Sequence, residues 1–161
     1  MKSYSKIVAL TALGLQFSLG AMSAASAQEQ APNEVRMLNK DSHGVAKAFE
    51  PALVPIEPGG TVDFVAWDFG HDLVSVKGLH PEGAEEFSGY KNADTSVTFD
   101  KEGVYVYECA AHRAAGMIGV VVVGDASANL DDILANYQDN PELSPAGKER
   151  LGPILASLKS K

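Results

Sequence analysis

The chain has 161 residues, 45% of them hydrophobic, with 13 basic against 21 acidic side chains and a formal net charge of −8. That length suits one buried core. The acidic balance argues against nucleic acid and anionic membrane surfaces as partners, because both would repel it.

Lys2 and Lys6 precede a mostly apolar run, Ile7 to Leu19, followed by small residues and Ala25-Ser26-Ala27. These are the three parts of a secretory signal peptide, with cleavage expected after residue 27. A membrane anchor is the competing reading, but the run is short of the roughly 20 residues that span a bilayer, and Thr11, Gln16 and Ser18 interrupt it. The leader takes two basic residues and no acidic ones, which leaves 11 against 21 and a net charge of −10 from Gln28 onward.

Short β-rich segments follow. Glu34 to Leu38 is a predicted strand, and Ala48 to Ile56 a second, interrupted by Pro51 and Pro55 and so placed at an edge or bulged. Glu57 to Gly60 is a turn. Thr61 to Trp67 alternates, with Val62, Phe64 and Ala66 on one face. Asp72 to Val76 is a short strand, Lys77 to Asn92 a long loop, and Thr95 to Phe99, Gly103 to Glu108 and Met117 to Val123 are three more strands. The last is almost continuously apolar and therefore central. Seven or so strands with turns between them predict an all-β, Greek-key β-sandwich. Asn129 is then a helix N-cap, with Leu130, Ile133, Leu134 and Tyr137 on one face. Ser144-Pro145 starts a second helix carrying Leu151, Ile154, Leu155 and Leu158, in which Gly152-Pro153 predicts a kink or break. The expected organisation is a leader at 1–27, a sandwich at 28–124 and a two-helix extension at 125–161 packed on the same domain.

Cys109 is the chain's one cysteine, so it cannot form an internal disulfide. A buried thiol acting as a small hydrophobe is the simple alternative. Its neighbourhood favours another role: Tyr107-Glu-Cys-Ala-Ala-His-Arg-Ala-Ala-Gly-Met117 offers a thiolate, an imidazole and a thioether, and His71 lies 38 residues upstream between two predicted strands. Two His, one Cys and a weak axial Met form the blue-copper donor set used for electron transfer. Met117 alone would read as core packing and His71 alone as a surface or satisfied residue; the Cys109–His112 spacing changes that weighting. A Cys-His catalytic pair would need an orienting group and an oxyanion site, and structural zinc makes no use of Met. Four protein ligands leave no open position for a substrate, which argues against an enzyme. His43 and His80 read as solvent-exposed, and Met37 as core, with a second thioether near the metal as its alternative.

The chain resembles the pseudoazurins, periplasmic members of the cupredoxins, from about Glu34 to the C-terminus. The resemblance rests on Glu34-Val-Arg-Met-Leu-Asn-Lys40, Phe49-Glu-Pro51, Pro58-Gly-Gly-Thr-Val62, Pro81-Glu-Gly-Ala-Glu85, Val123-Gly-Asp-Ala126 and the two-helix tail, which plastocyanins lack. It implies an eight-stranded cupredoxin sandwich with one copper on His71, Cys109, His112 and Met117. It also implies a monomeric periplasmic electron carrier in which the exposed edge of His112 lies in an apolar patch, docking transiently with copper nitrite reductase, other respiratory enzymes or cytochrome c. A copper chaperone or storage protein is the alternative from another class. Departures from the family pattern are Asp72 where Asn is common, Ala110-Ala111 in place of Thr-Pro, Arg113 in place of an aromatic, and Trp67 and Phe69 at positions often small, polar or basic. Lys40, Lys47, Lys77 and Arg113 could form a local basic ring within the acidic whole; otherwise the partner is basic or docks through apolar contact.

Overall fold

The computed structural model describes residues 33–159. The leader expected at 1–27 lies outside them. Nine strands form two sheets. They are β1 (Glu34–Lys40), β2 (Ala46–Glu50), β3 (Leu53–Ile56), β4 (Gly60–Val65), β5 (Leu73–Ser75), β6 (Ser88–Gly89), β7 (Thr95–Phe99), β8 (Gly103–Glu108) and β9 (Ile118–Val123). One sheet has the order β2-β1-β4-β7 and the other β3-β9-β8-β5-β6. Pairing is mixed: β1 with β4 and β3 with β9 run parallel, and the other pairs antiparallel.

The single strand expected over Ala48–Ile56 is two strands in different sheets. The chain leaves β2 at Pro51, which cannot donate to a ladder, and enters β3 beyond Ala52. Pro55 is tolerated because β3 is an edge strand, paired only with β9. The long loop at Lys77–Asn92 also contains β6, a two-residue strand paired with Leu73 and Val74 of β5.

Period-two alternation positions the core. Tyr105, Tyr107 and Cys109 of one chain segment, with Met117, Val121 and Val123 of the next, face the opposite sheet together with Val35, Phe49, Val62 and Phe64. Val104, Val106, Ile118, Val120 and Val122 face the other way. There they meet α1 (Leu130–Asn136) and α2 (Pro145–Leu158) through Leu130, Ile133, Leu151 and Leu155. β8 and β9 are thus buried on both faces, which is why β9 reads as nearly continuous valine.

Ser144 caps α2 as its sequence predicts, its Oγ accepting from Gly147 N–H at 3.0 Å with Pro145 following. Of the kink or break expected at Gly152 and Pro153, the break does not occur: the helix runs continuously through both. Pro153 is exposed, so the backbone carbonyl it leaves without an intrahelical partner lies on the helix side open to water. Asn129 stands at the N-cap of α1, but its side chain makes no capping bond there. It donates instead to Val104 O at 2.9 Å and accepts from Val104 N–H at 2.7 Å.

Candidate metal centre

The β8–β9 hairpin builds most of the site. Tyr107 pairs with Gly119 and Glu108 with Ile118, so the ladder brings Cys109 opposite Met117, on the core-facing side; the Cys109 N–H donates to Met117 O at 3.0 Å. Between them Ala110–Ala115 forms a tight 3-10 segment, with His112 N–H donating to Cys109 O at 3.0 Å. His112 leaves helical geometry at φ −123° and ψ 24°, and Gly116 turns the chain back at φ 72°. The third segment comes from the start of β5, where Val74 pairs with Glu108 and Ser75 with Tyr107. That register sets His71 beside the loop.

His71 Nδ1 lies 3.9 Å and His112 Nδ1 3.3 Å from Cys109 Sγ, and donor atoms of all three residues lie within 4.8 Å of one another. His71, Cys109 and Met117 are each 0% exposed, whereas His112 is half-buried. Met117 packs in the same core cluster as Cys109. His71 Nε2 is buried with no hydrogen-bond partner among the described residues, so the protein satisfies neither ring nitrogen in the ordinary way and Nδ1 is aimed at the sulfur.

The electrostatics of the metal-free site keep its imidazoles and its thiol uncharged. Burial first, then the charges of His112 and Lys47, lower the proton affinity of His71. Burial also leads for His112, with Lys47 and Lys91 adding to it against Asp72. Both imidazoles are therefore held neutral, the form that ligates. Burial pushes the Cys109 thiol up to about 11, so a metal must displace its proton to form the thiolate. A soft thiolate with two imidazoles and an adjacent thioether fits copper.

Asp72, one of the residues that depart from the family pattern, touches this loop twice. Its N–H points at Cys109 Sγ at 3.5 Å, and its carboxylate accepts from Ala111 N–H at 3.3 Å. Arg113 is not free to join a basic ring: its Nε donates to buried Glu108 at 2.5 Å, and its Nη2 lies 3.8 Å from Glu142. Of the other expected basic residues, Lys47 is close enough to act on both histidines. Lys91, in the long loop before β7 and outside any motif, also acts on His112. Phe69 is 85% and Tyr90 89% exposed, on two loops joined by Gly70 N–H to Asn92 Oδ1 at 2.6 Å and Asn92 N–H to His71 O at 2.8 Å. Trp67 is half-exposed, with the Arg36 guanidinium 4.2 Å above its ring. His43 is exposed as expected, but His80 is largely covered, its side chain 14% exposed and its Nδ1 3.3 Å from Pro81 O. Neither belongs to the His71–Cys109–His112 group. Met37 is buried in the core, as read.

A mixed two-sheet sandwich carrying this donor set at the end of one hairpin defines a cupredoxin. Residues 35–124 match the family described as copper binding proteins, plastocyanin/azurin family. Curated relatives include pseudoazurins of Paracoccus pantotrophus, 42% identical over 80% of this chain and 84% of that one, and of Methylorubrum extorquens, 38% identical over 78% and 80%. A pseudoazurin structure from Sinorhizobium superposes with a TM-score of 0.72 at 42% identity, covering 79% of this chain and 95% of the other. The chain belongs to the pseudoazurins, copper proteins that carry electrons and are not enzymes.

Proposed function

We propose that His71 Nδ1, Cys109 Sγ, His112 Nδ1 and the Met117 thioether hold one copper ion. We further propose that the protein works in the periplasm as a shuttle between redox proteins, with nitrite reductase or another respiratory enzyme as acceptor and cytochrome c as a further partner. The observation that carries this reading is the convergence of a thiol and two imidazoles within 4.8 Å on a hairpin that sets Met117 opposite Cys109. Bound copper supplies a one-electron Cu(I)/Cu(II) couple that thiolate and thioether bias toward the reduced state. Cys109 provides the strong bond and His71 anchors the site from its buried side. His112 is the partly exposed member of the set, and its ring presents the shortest route to a docked partner. Phe69 and Tyr90 stand on the neighbouring loops as apolar contact area. The leader at 1–27 supports export, and no helix among the described residues is long and apolar enough to cross a membrane.

Titration of the purified protein with Cu(II) tests the site. An intense charge-transfer band should grow to one equivalent, bleach on reduction and be absent in Cys109→Ser; a colourless copper complex would overturn the reading. Met117→Gln substitutes a harder oxygen donor, which favours Cu(II) and should lower the reduction potential. An unchanged potential would remove Met117 from the ligand set.

A further inference from the structure

Helix α2 reaches the metal loop at two points. Near its start, Ser144 Oγ donates to Arg113 O at 2.6 Å while accepting the capping bond from Gly147. Further along, the Arg150 guanidinium donates through Nη1 to Gly116 O at 3.2 Å and to Lys47 O at 2.9 Å, and through Nη2 to Ala46 O at 3.0 Å. One planar fork thus ties together the last residue of the loop and the first residues of β2. Among the described residues Arg150 makes no ion pair, so its charge is answered by carbonyl dipoles.

Both tied segments are conformationally unusual and both bear on the site. Gly116 is left-handed, and a Cβ there would lie 2.6 Å from Ala146 O, so the closing turn is wedged against the first turn of α2. Met117 follows it directly, with its N–H 3.4 Å from His112 O. Lys47 is a non-glycine residue at φ 53°, a conformation that persists only where the surroundings hold it. The strand in which it lies, β2, packs against the Ala110–Ala115 segment of the metal loop.

We propose that Arg150 is a positioning residue for the copper site: from α2 it fixes the Gly116 carbonyl, and hence the placement of Met117, and holds the start of β2 against the metal loop. The inference rests on the ligand assignment above. α2 is then a brace for the metal loop as well as a cover for the sheet. Lysine cannot replace the fork, because a single ammonium lacks its fixed, divergent donors.

The test compares Arg150→Ala, Arg150→Lys and Leu155→Ala in the copper-loaded protein. Leu155 is fully buried in the cluster beneath α2, so its truncation loosens the helix without removing a bond to the loop. Arg150→Ala should shift the charge-transfer band, move the reduction potential and weaken Cu(II) binding by roughly 10- to 100-fold, the range for groups that orient metal ligands. Arg150→Lys should move all three the same way. Leu155→Ala should lower Tm and leave spectrum and potential in place. A spectrum and potential in Arg150→Ala matching the unsubstituted protein would overturn the proposal, as would equal shifts in Leu155→Ala. If Arg150→Ala does not fold, Arg150→Lys carries the same comparison. Failure of the unsubstituted protein to show the band would instead sink the ligand assignment.

Discussion

Asp72 holds the metal loop by two bonds and places a carboxylate near the thiolate. An asparagine would keep an acceptor for the Ala111 N–H and remove the charge. A nearby negative charge favours Cu(II), so Asp72→Asn should raise the reduction potential by on the order of 50 mV, equivalent to about 1 kcal/mol for one electron. Voltammetry of the two proteins decides it, and a lower potential in the variant would rule out a charge effect. Tyr107 presents the opposite case, a polar atom that stabilises nothing visible. Its ring packs edge-on against Phe49 at 4.8 Å and Phe64 at 5.0 Å, and covers Gly119, which has no room for a Cβ. Its hydroxyl is buried without a partner among the described residues. Tyr107→Phe keeps the ring and removes the orphan, and should stabilise the protein by about 1 kcal/mol, roughly 3–5 °C in Tm. A drop in Tm would mean that the hydroxyl has a partner, such as an ordered water.

At the scale of elements, the outer edge of β8 shows how a strand is completed by pieces that are not strands. β5 covers it only at Tyr107 and Glu108. Val106 then exchanges bonds with the loop, its N–H donating to Leu79 O at 2.9 Å and its carbonyl accepting from Val76 N–H at 2.9 Å. Val104 is completed by the Asn129 amide alone. Asn129→Ala leaves a buried donor and a buried acceptor unpaired and should cost about 2–4 kcal/mol, measured by denaturant unfolding of the apoprotein. Asn129→Asp, which retains only the acceptor, should fall between; a loss under 0.5 kcal/mol for Asn129→Ala would mean water satisfies the strand. The local sequence gives Asn129 the look of a helix cap, since Asn before an acidic first turn is what a cap requires. The competing demand of a buried strand edge 25 residues earlier in the chain is invisible there.

For the molecule as a whole, net charge and local charge part company. The chain from Gln28 carries −10, yet Lys47 and Lys91 stand against Asp68 and Asp72 around the two histidines, and Arg113 is engaged by Glu108 and Glu142. The charges acting on the histidines from these side chains thus balance two against two, and Phe69 and Tyr90 stand exposed on the neighbouring loops. Docking should therefore depend on aromatic burial. Phe69→Ala combined with Tyr90→Ala should weaken association with a redox partner by roughly tenfold or more. Electron-transfer rates should change less than about threefold from low salt to 0.5 M. Stopped-flow kinetics measures both, and a hundredfold loss with salt would transfer docking to the lysines.

What the sequence determined by itself is whatever short-range chemistry fixes. The donor types and spacing of Cys109, His112 and Met117 named copper; alternation placed Val62 and Phe64 inside; helical spacing put Leu151 and Leu155 on one face. Ser144-Pro145 marked where α2 begins, because a cap and a first-turn proline act within four residues. The tertiary structure alone decided the rest, since hydrogen bonds between distant backbone groups leave no periodic trace. Only the fold splits the chain at Pro51 between two sheets, gives the Asn129 side chain to Val104 in place of its own helix, pairs Arg113 with a buried glutamate, and brings Arg150 to three carbonyls from two remote segments. A side chain with several available partners takes the ones that burial would otherwise leave unsatisfied, and which those are depends on the whole chain.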